Sequence, residues 1–291
     1  MTLANEGPPL RWVHSEPASG AANMAADEAL LETVRDGGGP ILRTYTWNPP
    51  TLSLGYGQDL ADVDTDRCRE LGIELVRRPT GGRAVLHWEE LTYCYLCLPP
   101  DGDDSIRASY QTVGRCLQRG LQLYGVDVEL SRGRVGSGHR AACFASTSRS
   151  EITSRGRKLI GSAQRRIRGA LLQHGSLLIG GAHRMLAEVV EGESVESIAA
   201  SAIHLQEIQA EIDPEVLAAC LADGFADVLD RPLKAEGLSP GEQIRADELT
   251  CEKYGTLTHL HRRETASAVE DDRGTAAVVE DDHGTAAVVE A

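Results

Sequence analysis

Lysine is nearly missing from this 291-residue sequence: of 29 basic residues, only Lys158, Lys234 and Lys253 are lysines. Positive charge as a whole is outweighed by 44 acidic residues, leaving a net charge of −15. That excess excludes a general nucleic-acid-binding surface, which needs a basic field. No run of apolar residues reaches the roughly eighteen needed to span a bilayer, so no membrane helix is expected. The N-terminal MTLANEGPPLRWVHSE lacks a basic segment followed by an apolar run, so no secretory signal is expected either. Aromatic residues make up only 4% of the chain, but the apolar fraction of 41% is enough for a core.

Paired cysteine spacing is also missing. The seven cysteines, at 68, 94, 97, 116, 143, 220 and 251, are odd in number and irregularly placed. They build no disulfide framework and suit a reducing cytoplasm. Cys94 and Cys97 form one C-x-x-C, with neither a second pair nor two histidines at zinc-finger spacing. They fall in a strand-like run, so buried strand cysteines are expected.

What is present reads as alternating elements. A helix is expected over 22–35, capped by Asn23, with Met24, Leu30, Leu31 and Val34 as its apolar face. Strands are expected at 41–47, 51–56, 73–78, 84–87, 91–98 and 126–130, and helices at 60–71 and 105–124. The stretch 131–141, SRGRVGSGHRA, reads as a polar loop. A hairpin covers Arg157 to Ser176, with Ala170, Leu172 and His174 on one side of its second strand and Leu171, Gln173 and Gly175 on the other. Helices are expected at 185–190, at 214–229 with Asp213 as cap, and at 239–254. The expected domain organisation is one domain over 1–264 and an acidic tail over 265–291. The tail repeats DDRGTAAVVE as DDHGTAAVVE, and a stretch this polar is expected to be disordered.

Two segments carry the chemistry. Residues 77–87 read RRPTGGRAVLH and lead into Leu91-Thr92-Tyr93. The Gly81-Gly82 turn lets backbone N–H groups approach a ligand, with Arg77, Arg78 and Arg83 around it. In the hairpin, Lys158 precedes Gly161-Ser162-Ala163-Gln164, and Leu172-Gln173-His174-Gly175-Ser176 closes it. A compact ammonium kept in an arginine-rich chain does a different job from a guanidinium fork. Together these segments resemble the biotin/lipoate protein ligase superfamily, and within it the octanoyltransferase and lipoate ligase branch. The resemblance covers roughly residues 10 to 255.

That resemblance implies an α+β fold, a mixed and largely antiparallel sheet flanked by helices, like the catalytic domain of class II aminoacyl-tRNA synthetases and biotin synthetases. It implies that the Gly-Gly loop covers the acyl chain, that Arg78 and His87 are wall residues, and that Gly161, Ser162, Gln164, His174 and Gly175 line the pocket floor. The family more often has an acid directly after the histidine, where this chain has Trp88. Lys158 is implied to reach the acyl carbonyl and stabilise its oxyanion, and replacement by alanine is expected to leave folding normal. Cys143, in Ala-Ala-Cys-Phe, resembles the nucleophile segment of cysteine-dependent octanoyltransferases. The family continues with an acid and a proline, where this chain has Ala145-Ser146-Thr147. Lys158, His174 and Arg149 are the candidates for activating the thiol.

The expected reaction moves octanoyl from acyl carrier protein through Cys143 to a lysine of a lipoyl domain such as the glycine-cleavage H protein. It needs no cofactor or metal, and the enzyme is expected to be a cytoplasmic monomer. The alternatives are an ATP- and Mg²⁺-dependent lipoate or octanoate ligase working through an acyl-adenylate, a lipoyl amidotransferase, and a non-catalytic module that binds lipoyl domains.

Overall fold

The computed structural model describes residues 7–99, 106–132 and 149–261. Cys143, most of the Gly-rich loop and the repeat tail lie outside the described residues. Within them the chain runs β1 Leu10–His14, α1 Gly20–Arg35, β2 Ile41–Tyr45, β3 Thr51–Leu54, α2 Thr65–Glu70, β4 Glu74–Arg77, β5 Val85–His87 and β6 Glu90–Cys97. Then follow α3 Ile106–Leu123, β7 Glu129–Arg132, β8 Arg149–Ser154, β9 Arg157–Lys158, β10 Ile160–Ile167 and β11 Ala170–Leu178. The chain ends with α4 Leu186–Val189, α5 Val195–Ser201, α6 Pro214–Leu229, β12 Leu233–Ala235, α7 Pro240–Leu249 and α8 Leu257–Leu260.

Six strands form the main sheet in the order β10-β11-β6-β2-β1-β12. The pairs β10/β11, β11/β6 and β6/β2 are antiparallel, and β2/β1 and β1/β12 are parallel. The sheet is therefore mixed and largely antiparallel, as the sequence implies. Alternation assigns its two faces. Leu42, Leu91, Tyr93 and Tyr95 pack with α3 and α6 on one side. Ile41, Tyr45, Cys94, Leu96 and Leu172 pack with α1 and α7 on the other. A small sheet, β4-β3-β5, stands beside that second face with its own apolar cluster. A third sheet, β7-β8-β9, carries the chain into the hairpin.

Local chemistry sets most element ends. α6 starts at Asp213, whose side chain accepts from the amides of Glu215 and Val216, with Pro214 pre-set at the first helical position. α7 has a capping box between Ser239 and Glu242, and a π-helical turn over Thr250–Tyr254 finishes it. The cap of α1 is Ser19 rather than Asn23. Asn23 lies inside the helix, where its amide donates to the carbonyls of Ala18 and Thr46. The single helix expected over 60–71 is instead a 3-10 turn at Leu60–Asp62 and α2, because Asp59 and Asp64 each cap a start. The sequence reading contained neither β1 nor β12.

Asp27, on α1, is fully buried. One carboxylate oxygen accepts from the Arg43 guanidinium at 2.8 Å and the other from the Tyr45 hydroxyl at 2.8 Å. Arg43 also donates to the Asn23 carbonyl and side chain. Burial raises the Asp27 pKa, but Arg43 and His174 outweigh it and hold the carboxyl below its usual value. Removing one partner of such a pair strands a buried charge and costs about 3–5 kcal/mol, whereas apolar replacement of both is far milder. Asp27→Leu should therefore lower the melting temperature by roughly 10 °C. Asp27→Leu with Arg43→Met should recover a large part of that loss in the same thermal melt.

Candidate active site

The pocket lies between the main sheet and the small sheet, lined by residues of both and of α1. Strand register explains the opening. One row across the sheet runs Tyr45–Thr92–Ser176–Gly161, and the next on the same face runs Arg43–Cys94–His174–Ala163. Small residues at Gly161, Ala163 and Ser176 leave a hollow where larger ones would fill it. Met24 from α1, Tyr45, Trp47 and Val85 give it apolar walls, and Ser53, Arg78 and His87 close it from the small sheet. Gly175 is required by packing. A Cβ there would sit 2.6 Å from both the Gly161 carbonyl oxygen and Tyr93 Cε1.

The polar wall is tightly bonded. Arg78 donates to the Ser53 carbonyl and hydroxyl, and to the carbonyls of Gly81 and Arg83, which shapes the Gly-Gly loop. Gly82 sits at φ +90, a conformation that favours glycine. Arg77 is spent on backbone carbonyls of Gly55, Tyr56, Gln58 and Leu260 rather than on the pocket.

His87 stacks on Trp47 at 4.0 Å, and its Nε2 meets the Ser53 hydroxyl at 2.8 Å. Its Nδ1 lies 3.5 Å from Glu90. Glu90 accepts from the Thr92 hydroxyl, which itself accepts from the Trp47 indole. The acid that Trp88 does not provide is thus supplied by Glu90. Burial pushes the His87 pKa down against the pull of Glu90, so the ring is neutral. His174 is held between Thr80, 2.6 Å from Nε2, and Asp27, 3.7 Å from Nδ1. Burial likewise depresses its pKa.

The pocket brings together Arg78, His87, Gly161, Ser162, His174 and Gly175, with the Gly81-Gly82 loop against Arg78. The Ser162 hydroxyl turns to Tyr93 on the α3 side of the sheet. Gln164 is not in this group. It pairs in register with Gln173 and alternates with Ala163, which puts its side chain on the opposite face. Cys143 and the side chain of Arg149 lie outside the described residues.

Lys158 is 2% exposed, and its ammonium lies 2.6 Å from the Glu151 carboxylate, itself buried. The lysine and its acid form a buried pair, which alters the expectation for Lys158→Ala. Losing the ammonium takes a close cationic partner from the buried Glu151 carboxylate, so the variant should be less stable than the parent.

Asp27, Trp47, Ser53 and Glu90 were passed over in the sequence, while Thr80 and Ser176 stood in the two motifs without an assigned role. For Asp27 a signal existed. It lies three residues after Met24 and four before Leu31, so it falls on the apolar stripe of α1.

This geometry sits within a known family. Residues 19–226 match the lipoyl protein ligase A/B catalytic domain. A protein of Carboxydothermus hydrogenoformans named octanoyltransferase LipM is 41% identical over 265 residues, which cover 87% of this chain and 98% of that protein. One of the same name from Clostridioides difficile is 38% identical over 269 residues, with the same coverage. Among solved structures, a lipoate-protein ligase A bound with ATP superposes with a TM-score of 0.74 at 25% identity, covering 87% of this chain and 99% of that one. The chain belongs to the lipoyl protein ligase A/B catalytic-domain family.

Two outcomes follow from the buried ionisable groups. Lys158→Ala should melt roughly 10 °C below the parent, and adding Glu151→Gln should restore part of the difference. Stability should also fall on acidification. The folded pKa values of His87 and His174 lie below the ordinary 6.5, as does that of His183, at about 4. Below pH 6.5 the unfolded chain takes up protons that the folded one refuses, so folding free energy is lost as pH drops toward 4. Thermal melts from pH 7.5 to 5 measure this, and His183→Leu should flatten the slope.

Proposed function

We infer that this protein is an octanoyltransferase of lipoate biosynthesis. The supporting observation is 41% identity to an octanoyltransferase along 98% of that relative's length, and the chain has a cysteine, Cys143, within the family-matched residues 19–226. The donor in this reading is octanoyl-acyl carrier protein, and the acceptor is a lysine of a lipoyl domain such as the glycine-cleavage H protein. The apolar walls at Met24, Tyr45, Trp47 and Val85 suit a straight, saturated chain of medium length.

The reaction has two halves. The Cys143 thiolate attacks the thioester carbonyl, the oxyanion collapses, and the carrier thiolate leaves. The acceptor amine then attacks the Cys143 thioester, loses a proton, and releases the Cys143 thiolate as the amide forms. Lys158 donates to the oxyanion in this scheme, with Glu151 fixing the direction of its ammonium. A thioester is already activated, so the reaction consumes no ATP and needs no metal. The neutral His87 and His174 shape and polarise the pocket wall.

One observation favours a second reading. A lipoate-protein ligase A with ATP bound shares the fold at a TM-score of 0.74. In that reading Lys158 contacts an acyl-adenylate and Cys143 is inert.

Intact-mass analysis separates the two. Mixing the protein with octanoyl carrier protein alone should add one octanoyl group, mapped to Cys143. Cys143→Ala should abolish the adduct, while substitutions at Cys68, Cys97, Cys220 and Cys251 should leave it. An unmodified wild-type protein, with a variant Cys143→Ala that still modifies H protein from free octanoate and ATP, would establish the ligase.

A further inference from the structure

Five hydroxyl-bearing residues line the pocket: Tyr45, Ser53, Thr92, Ser162 and Ser176. Four have partners within the protein. Tyr45 is bonded to Asp27, Ser53 to His87 and Arg78, Thr92 to Glu90 and Trp47, and Ser162 to Tyr93. The Ser176 side chain is the exception. The residue is only 2% exposed, and its Oγ has no hydrogen-bond partner. A buried hydroxyl left unpaired destabilises the free protein, so its presence in a pocket indicates a group that arrives with the ligand.

We propose that the Ser176 hydroxyl donates the hydrogen bond that holds the acyl carbonyl in this pocket. The assignment rests on the octanoyltransferase reading. A saturated acyl chain has a single hydrogen-bonding group, its carbonyl oxygen. An unpaired hydroxyl in a pocket whose other hydroxyls are bonded is therefore matched by that oxygen and by no other atom of the chain. Position agrees. Ser176 stands opposite Gly161 in the β10/β11 register, and Gly161 follows Lys158 by three residues on the edge side of the sheet. The same row continues through Thr92 to Tyr45, so a chain whose carbonyl rests at Ser176 has Met24, Tyr45 and Trp47 to receive its tail. Ser176 thus fixes the reacting end, and the apolar wall takes the other.

The test compares Ser176→Ala and Ser176→Thr with the parent in octanoyl transfer, in thermal stability and in binding of two unreactive donor analogues. One analogue is the pantetheine amide of octanoate, which keeps the carbonyl, and the other is the S-octyl thioether, which lacks it. Ser176→Ala should melt at or above the parent temperature, because it removes an unpaired polar group. Its kcat should fall by roughly 10²-fold, the scale of losing one oxyanion donor. It should bind the amide more weakly and the thioether unchanged, and Ser176→Thr should restore the preference for the amide. Parent-like transfer by Ser176→Ala overturns the assignment, as does an equal loss of both analogues, which would mark a change of pocket shape. A parent protein that transfers no octanoyl sinks the functional reading instead, and the analogue comparison still decides the role of Ser176.

Discussion

The structure depends on one buried carboxylate. Asp27 projects from α1 into the sheet, where Arg43 of β2 neutralises it, Tyr45 donates to it and His174 of β11 faces it. A lone carboxylate in such surroundings would be expelled or protonated, so it persists only while both strands and the helix keep their places. Met24 sits on the same helix, Tyr45 on the same strand as Arg43, and His174 reaches on to Thr80 beside the Gly-Gly loop. One electrostatic knot therefore sets the back wall, the floor and the covering loop of a single pocket.

The pocket follows from that frame. Small side chains on two neighbouring strands leave room, and hydrogen bonds from Arg78, Thr92 and Trp47 occupy Ser53, Glu90 and Thr92, which would otherwise compete for ligand. Its two imidazoles are kept neutral by burial, so no net positive charge from them draws in a free carboxylate. A pocket with neutral imidazoles and mostly bonded polar atoms suits an acyl group that arrives already esterified to a thiol. The one unpaired hydroxyl, on Ser176, supplies the polar contact such a group can use.

Much of this was legible in the sequence. Pattern and turn chemistry located α6 with its cap, the β10/β11 hairpin and the strand entering the Gly-Gly loop, because these features are local. What escaped depends on distant partners. β1 and β12 pair in parallel across more than two hundred residues, and three-residue strands such as β12 carry no period to read. Nothing in the sequence pairs Asp27 with Arg43, which lies sixteen residues away on a strand, and only the fold unites them. Gln164 sits in the motif with its neighbours, yet the two-residue strand period sends its side chain to the opposite face. Glu151 could not be recognised as the partner of Lys158 before β8 and β9 were seen to pair.

The measurement closest to the central claim is octanoyl transfer from carrier protein to apo H protein by the purified chain, with all ATP destroyed by apyrase. The account predicts full modification of the acceptor under these conditions, with no gain on adding ATP and Mg²⁺. Acceptor modification that appears only with free octanoate, ATP and Mg²⁺ would contradict it.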